Sequence, residues 1–371
     1  MRKQQRWDIF CRVVDNFGDI GVCWRLARQL AHEYNLDIRL WVDDLESTRH
    51  LLPQIDTVLP LQKIDGVAIH HWQPGFRFDT VADVVIEAFA CELPENYLQA
   101  MAGKRPVWLN LEYLSAETWV EDYHLQPSPH PRLPLKKTFF FPGFTEGTGG
   151  LLREKDLFAA RAAFLQRQQL ADNGTRHHEL RVSLFCYPFA PIRQLLSIMV
   201  QGPQPVHCRI PQTGILPAVC DFFELTQLAV GQQITSGQLT VEILPFLSQN
   251  AYDHLLWSCD LNFVRGEDSW IRAIWAARPF IWQPYRQEED THLLKLQAFF
   301  ESYNHGCEAA ARTSLEQFHR AWIGGDLQAA HWQQLLQQLP ALQAHAKQRA
   351  EDLARQPDLA SKLVIFCENF S

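Results

Sequence analysis

The chain opens on a short apolar run, residues 7–14, that breaks at Asp15-Asn16-Phe17-Gly18-Asp19. Behind the break, residues 20–34 carry Val22, Leu26, Leu30 and Ala31 at helical spacing, and residues 38–42 are strand-like again. Strand, glycine-containing loop, helix, strand is a βαβ unit, which implies a parallel sheet. Further strands are predicted at 68–70, 81–87 and 107–111. The pattern then changes: four prolines fall within 126–134, and 139–150 is an aromatic, glycine-rich stretch that reads as a loop. A helix is predicted over 157–169 and a polar loop over 171–178. The βα rhythm then resumes, with strands at 180–185, 205–209, 239–243, 261–264 and 280–281 and helices at 192–199, 215–222, 249–258 and 269–277. From 315 to 370 the chain is rich in Gln, Leu and Ala at helical spacing.

Two such halves, joined near 150–178, predict an α/β protein of two doubly wound domains facing a cleft, one over 1–175 and one over 176–352. Open parallel sheets bind ligands beyond the carboxyl ends of their strands, so the loops that follow strands are where chemistry belongs.

Composition narrows the class. A length of 371 residues fits about two domains. Lys and Arg number 34 against 42 Asp and Glu, a net charge of −8, which argues against nucleic-acid binding through phosphate contacts. A hydrophobic fraction of 47% excludes a disordered chain. No apolar run reaches the roughly 18–20 residues needed to span a bilayer, and the start lacks a signal-peptide core, so neither membrane nor secretion is expected. The nine cysteines are scattered and never spaced Cys-x-x-Cys, as expected of reduced thiols in a cytoplasmic protein without a zinc site. His177-His178-Glu179 reads as a solvated loop, because adjacent histidines face apart on any regular element. The twelve Trp and 23 Phe are many for this length.

Several loops carry candidate chemistry. Asp15-Asn16-Phe17-Gly18-Asp19-Ile20-Gly21 lacks both the Gly-x-Gly-x-x-Gly order and a Gly-Lys-Ser/Thr phosphate loop. It sets two carboxylates four residues apart at a helix start, suited either to capping or to facing a ligand. Arg265-Gly266-Glu267-Asp268-Ser269 repeats the layout in the second half. Here a helix N-terminus and Arg265 suit phosphate, with Ser269 or Asp268 as the alternative cap. Phe185, Tyr187, Phe246 and Gln249 fall at strand ends, where aromatics fill the core or stack on a base while Gln reads its edge. Tyr285 lies on the polar loop after the last strand. Asn110-Leu111-Glu112-Tyr113 puts Asn, Glu and Tyr on the rim of the first half.

Taken together, the stretches 15–28, 110–117, 139–144 and 265–269 resemble the elongation factor P arginine rhamnosyltransferase (EarP) family, with Phe17 where Tyr is common there. The resemblance implies a GT-B glycosyltransferase with two Rossmann-like domains, the helix at about 353–371 returning to the first. It implies an inverting transfer of L-rhamnose from dTDP-β-L-rhamnose to an arginine of elongation factor P, without metal or cofactor. By analogy Asp19 is the catalytic carboxylate and Asp15 its partner, while Glu267 counts with the catalytic residues and also with those that would hold ribose, diphosphate or rhamnose. Phe185, Tyr187, Phe246 and Gln249 would hold thymine. Tyr285, Arg265, Gly266, Asp268 and Ser269 would hold ribose, diphosphate or rhamnose, and Asn16, Phe17 and Gly18 would line the acceptor side. Two rivals stand beside this reading: a GT-B transferase using another nucleotide sugar on a small molecule or glycan, and a non-catalytic binding module.

Overall fold

The computed structural model describes residues 4–14, 17–73, 75–171, 179–286 and 291–370. Their contacts form two units, residues 1–155 with 354–371, and residues 156–353.

The first unit is built on an eight-stranded sheet. Its strands are β1 (Arg6–Cys11), β2 (Asp37–Val42), β3 (Leu61–Ile64), β4 (Val67–His71), β5 (Val84–Ala88), β6 (Val107–Leu111), β7 (Pro127–Pro129) and β8 (Lys136–Phe140). They run in the order β3-β4-β2-β1-β5-β6-β8-β7. The inner pairs are parallel, and the edge strands β3 and β7 are antiparallel to β4 and β8. Its helices are α1 (Gly18–Tyr34), α2 (Leu45–Leu51), α3 (Glu95–Lys104) and α4 (Trp119–Tyr123).

The second unit begins with α5 (Leu157–Ala171) and holds a six-stranded sheet of β9 (Leu180–Leu184), β10 (Val206–Pro211), β11 (Gln233–Ser236), β12 (Leu239–Leu244), β13 (Leu261–Arg265) and β14 (Phe280–Gln283). Its order is β11-β12-β10-β9-β13-β14, again parallel except for the edge strand β11. Its further helices are α6 (Ile192–Val200), α7 (Leu216–Phe223), α8 (Gln249–Ser258), α9 (Asp268–Ala276), α10 (Thr291–Tyr303), α11 (Ala309–Gly324), α12 (Ala329–Gln337) and α13 (Leu339–Leu353). The closing helix α14 (Leu359–Glu368) belongs to the first unit.

Strands covered on both faces must be apolar throughout, and β5 is buried at every position. The polar exceptions are paired across the ladder. Asp8 on β1 faces Arg39 on β2, whose Nε and Nη2 donate to its two carboxylate oxygens at 2.6 and 2.7 Å. In the second sheet Ser183 donates to its register partner Asn262 at 2.6 Å. Burial still raises the Asp8 carboxyl above its ordinary value, with the Arg39 bonds pulling the other way.

Three readings of the sequence change here. The unit boundary falls at 155/156 rather than near 175, because α5 packs on α8 and α9: Phe164 stacks on His254 at 4.4 Å, and Phe158 meets Trp275 at 5.8 Å. The proline-rich stretch contains an edge strand, β7. Proline is tolerated there because an edge residue need not donate to the ladder. The aromatic stretch after 139 begins as the end of β8. His177 and His178 lie outside the described residues.

α14 is tied to the first unit near its start. Gln29 Nε2 donates to Asp358 Oδ1 at 3.1 Å and to the Arg153 carbonyl at 2.8 Å, and the Leu359 N–H donates to the Leu151 carbonyl at 2.9 Å. Gly150 has φ +75°, and a Cβ there would meet the Pro357 carbonyl at 2.7 Å, so the chain crosses at a position only glycine fits.

Most of the aromatic surplus is core. Phe10, Trp41, Tyr97 and Trp108 pack together in the first unit, and Phe263, Phe318, Trp322 and Trp332 in the second. All nine cysteines carry free thiols, and no described helix is long and apolar enough to cross a membrane.

Three histidines are held neutral by burial, each pushed down to about 4: His70, His124 and His319. His124 Nδ1 accepts from the Phe141 N–H at 3.1 Å and His319 Nε2 from the Trp282 N–H at 2.9 Å, roles a protonated ring cannot play. An unfolded histidine titrates near 6.5, so between about 6.5 and 4 the unfolded chain binds more protons than the folded one. The stability these rings contribute is present above 6.5 and lost as pH falls toward 4. The midpoint of urea unfolding should therefore drop steadily over that window, and H319Q should flatten the slope; an unchanged midpoint from pH 7 to 4.5 would contradict it.

Candidate functional site

In the first unit the turn between β1 and α1 carries Asp19. It is the second residue of the helix and almost fully buried, at 2% exposure. It does not cap the helix. The cap position is Phe17, whose side chain makes no capping bond, and the Asp19 carboxylate turns back over the loop. Its Oδ2 accepts from the Val14 N–H at 2.8 Å and its Oδ1 from the Tyr113 hydroxyl at 3.1 Å. The same loop is held on its other side by Asp43, which accepts from the Val13 N–H at 2.9 Å. Gly18 is the first helical residue, and Phe17 packs at 5.8 Å from His50 on α2. Asp15 and Asn16 lie outside the described residues.

Beside this turn are the ends of β5 and β6. Glu87, buried on β5, accepts from the Glu92 N–H at 3.0 Å and pairs with Lys137 at 3.1 Å. Asn110 on β6 donates to Glu112 at 2.5 Å. Burial, with Glu87 near, raises the Glu112 carboxyl above its ordinary value. Tyr113 follows, stacked on Phe89 at 4.3 Å and 15°.

In the second unit the ends of β9, β13 and β14 meet. The Arg265 guanidinium lies 4.7 Å from the Phe185 ring centroid and 4.4 Å from that of Tyr187. A planar cation lying on two aromatic faces is restrained by the attraction of the rings. Gly266 then turns the chain with φ +63°, its N–H donating to the Gln283 carbonyl at 3.3 Å and its carbonyl accepting from Trp282 Nε1 at 2.9 Å. Trp282 is in turn stacked on Trp270 at 3.8 Å. The cap position of α9 is Glu267, which makes no side-chain capping bond, and Asp268 stands in the first turn. The Ser269 hydroxyl accepts from the Arg265 N–H at 3.1 Å and donates to the Arg265 carbonyl, closing the turn rather than capping the helix.

Tyr187 is buried, with its N–H donating to Gln283 Oε1 at 2.8 Å and its ring against Phe189 at 5.3 Å and Tyr285 at 5.8 Å. Tyr285 is half exposed, at 52%. Gln249 is the buried first residue of α8, behind the Ser248 cap, and half-buried Phe246 precedes it. Tyr252, one turn further on, meets Phe185 edge-on at 5.4 Å.

The structure thus gathers Phe185, Tyr187, Arg265, Gly266, Ser269 and Tyr285 at the carboxyl edge of one sheet, and Asp19 with Gly18 at that of the other. It adds Tyr113 as the partner of Asp19, and Gln283 as the anchor of Tyr187. Gln283 ends an apolar run, so no pattern marked it. A separate cavity of about 870 Å³ in the first unit, lined among others by Arg39, Trp41, His70, Phe76 and Asp79, contains none of the residues singled out from the sequence.

Solved structures of MurG from Acinetobacter baumannii and of the glycosyltransferase SnogD from Streptomyces nogalater match over nearly the whole chain. Their TM-scores are 0.55 and 0.53, at 13% and 12% identity, a likeness of fold alone. The fold is that of the GT-B glycosyltransferases. The family model of the elongation factor P (EF-P) rhamnosyltransferase EarP matches residues 7–368, and the chain belongs to that family. It is 47% identical to the protein-arginine rhamnosyltransferase of Pseudomonas aeruginosa, over 97% of this chain and 98% of that one. The Pseudomonas putida counterpart is 46% identical, over 98% of both. The structure solved to explain EarP-mediated arginine glycosylation of translation elongation factor EF-P matches at 34% identity with TM-score 0.69, over 99% of both chains. The chain is a glycosyltransferase that acts on arginine.

Gly266 occupies the left-handed region, where a Cβ costs about 1–2 kcal/mol. G266A should lower the melting temperature by roughly 3 °C for a unit of this size. Calorimetry showing no shift would mean the turn tolerates a side chain.

Proposed function

We propose that this chain moves L-rhamnose from dTDP-β-L-rhamnose to one arginine side chain of elongation factor P, with inversion at the anomeric carbon. It would act in the cytoplasm, and the modified factor would then relieve ribosomes stalled at polyproline. The observation that carries this reading is Asp19: a buried carboxylate at the carboxyl edge of the sheet, held by the Val14 N–H and the Tyr113 hydroxyl. The relatives' activity on arginine and the arginine glycosylation of EF-P by a structural neighbour support it.

A guanidinium is a poor nucleophile, since its pKa exceeds about 12 and its charge is delocalised. Asp19 pairs with that cation, orients one nitrogen behind the anomeric carbon, and takes its proton as the new C–N bond forms. The bond from the anomeric carbon to the diphosphate oxygen breaks, and dTDP leaves with the electron pair. Asp15 orients the guanidinium or its loop.

On the donor side, Arg265 and the backbone N–H groups at the start of α9 receive the charge that develops on the diphosphate, so the transfer proceeds without metal. Phe185, Tyr187, Phe246 and Gln249 take the thymine. Ser269 and Tyr285 border the ribose and diphosphate, and Glu267 and Asp268 face sugar hydroxyls. Glu267 and Asp268 would repel phosphate, which is why hydroxyls suit them better.

D19N should bind dTDP nearly as the wild type does and transfer no rhamnose. Intact-mass analysis of elongation factor P incubated with donor and a chelator reads this directly, and near-wild-type turnover by the variant would refute the assignment. F246A should weaken dTDP binding about tenfold or more, the loss of one stacking contact; an unchanged dissociation constant by calorimetry would remove Phe246 from the base site.

A further inference from the structure

We infer that Tyr113, backed by Phe89, is the positioning residue that aims the Asp19 carboxylate. The inference rests on Asp19 being the base of the transfer. The bond itself, hydroxyl to Oδ1 at 3.1 Å, joins two segments 94 residues apart. Tyr113 is 41% exposed, so burial does not explain where its ring sits. The ring is fixed instead by lying flat on Phe89, at 4.3 Å and 15°.

Phe89 stands on an unusual piece of backbone. Phe89, Ala90 and Glu92 all have left-handed conformations, with φ of 56°, 52° and 58°. Residues other than glycine adopt that region at a cost, and such strain persists only where the surroundings over-determine it. Here they do. The Phe89 N–H donates to the Leu111 carbonyl at 2.7 Å, the Cys91 N–H to the Ala88 carbonyl at 3.2 Å, and the Glu92 N–H to Glu87, which Lys137 pairs in turn. The strained turn thus presents a plate, the plate orients a ring, and the ring delivers one hydroxyl to the carboxylate.

The chemical consequence follows from what surrounds Asp19. The Cys11 thiol on β1, hydrogen-bonded to Cys23 of α1 and buried, lies near enough to feel the charges of Asp19 and Asp43, and its pKa is raised. Asp15 lies outside the described residues. The Val14 N–H and the Tyr113 hydroxyl each donate to one oxygen of Asp19, which fixes which oxygen faces the substrate. Without the hydroxyl, Oδ1 loses a charge-assisted hydrogen bond and the direction it fixes.

Y113F tests this, because it removes one oxygen from an exposed ring and leaves the stack. The plateau kcat for rhamnosylation of elongation factor P should fall about tenfold, and the acid limb of kcat against pH should move up by about one unit. KM for dTDP-β-L-rhamnose should not change. F89L, which keeps the hydroxyl but loosens the ring, should move the limb in the same direction by less. An inactive D19N beside a Y113F with wild-type kcat and limb would overturn this inference alone. A loss confined to KM for elongation factor P would also overturn it, making Tyr113 a contact for the acceptor. Turnover by D19N would overturn the Asp19 reading and this inference with it.

Discussion

Both units are shaped by one constraint: on a parallel strand covered on both faces, a charged or polar side chain is costly unless it is paired. Inside the sheets Asp8 is matched across the ladder by Arg39, and Ser183 by Asn262. Further polar side chains stand at the carboxyl ends of the strands, where backbone and side chains meet water. Asp19, Glu87, Asn110 and Glu112 gather at that edge of the first sheet, and Arg265, Gly266 and Gln283 at that edge of the second.

The two edges differ in how they treat charge. In the first, a carboxylate is buried and given donors, which fixes its direction. In the second, a guanidinium is laid on two aromatic rings, which restrains it. A carboxylate in one unit and a guanidinium in the other give the two edges opposite charge. The aromatic residues serve both ends: Phe89 orients Tyr113, Phe185 and Tyr187 support Arg265, and Trp270 and Trp282 brace the glycine turn.

The βα rhythm and the loops with chemistry were readable without coordinates, because strands buried on both faces and amphipathic helices have distinct periods. The errors came where a local signal competed with a long-range one. Prolines near 127 suggested a loop, yet an edge strand needs few donors and accepts them. α5 looked like the end of the first half, but Phe158 and Phe164 find partners on α9 and α8.

What the residues alone determined was the type of fold, the family, and which loops follow strands, since those depend on local patterns and on short motifs. They also named Asp19 and Arg265 by residue type and place in a loop. Only the tertiary structure decided that Asp19 faces Tyr113 rather than capping its own helix, that Ser269 closes a turn, and that Gln283 pins Tyr187. Each of those is a contact between segments brought together by strand order, and a hydrogen bond of about 3 Å cannot be read from residues many positions apart until the sheet has placed them side by side.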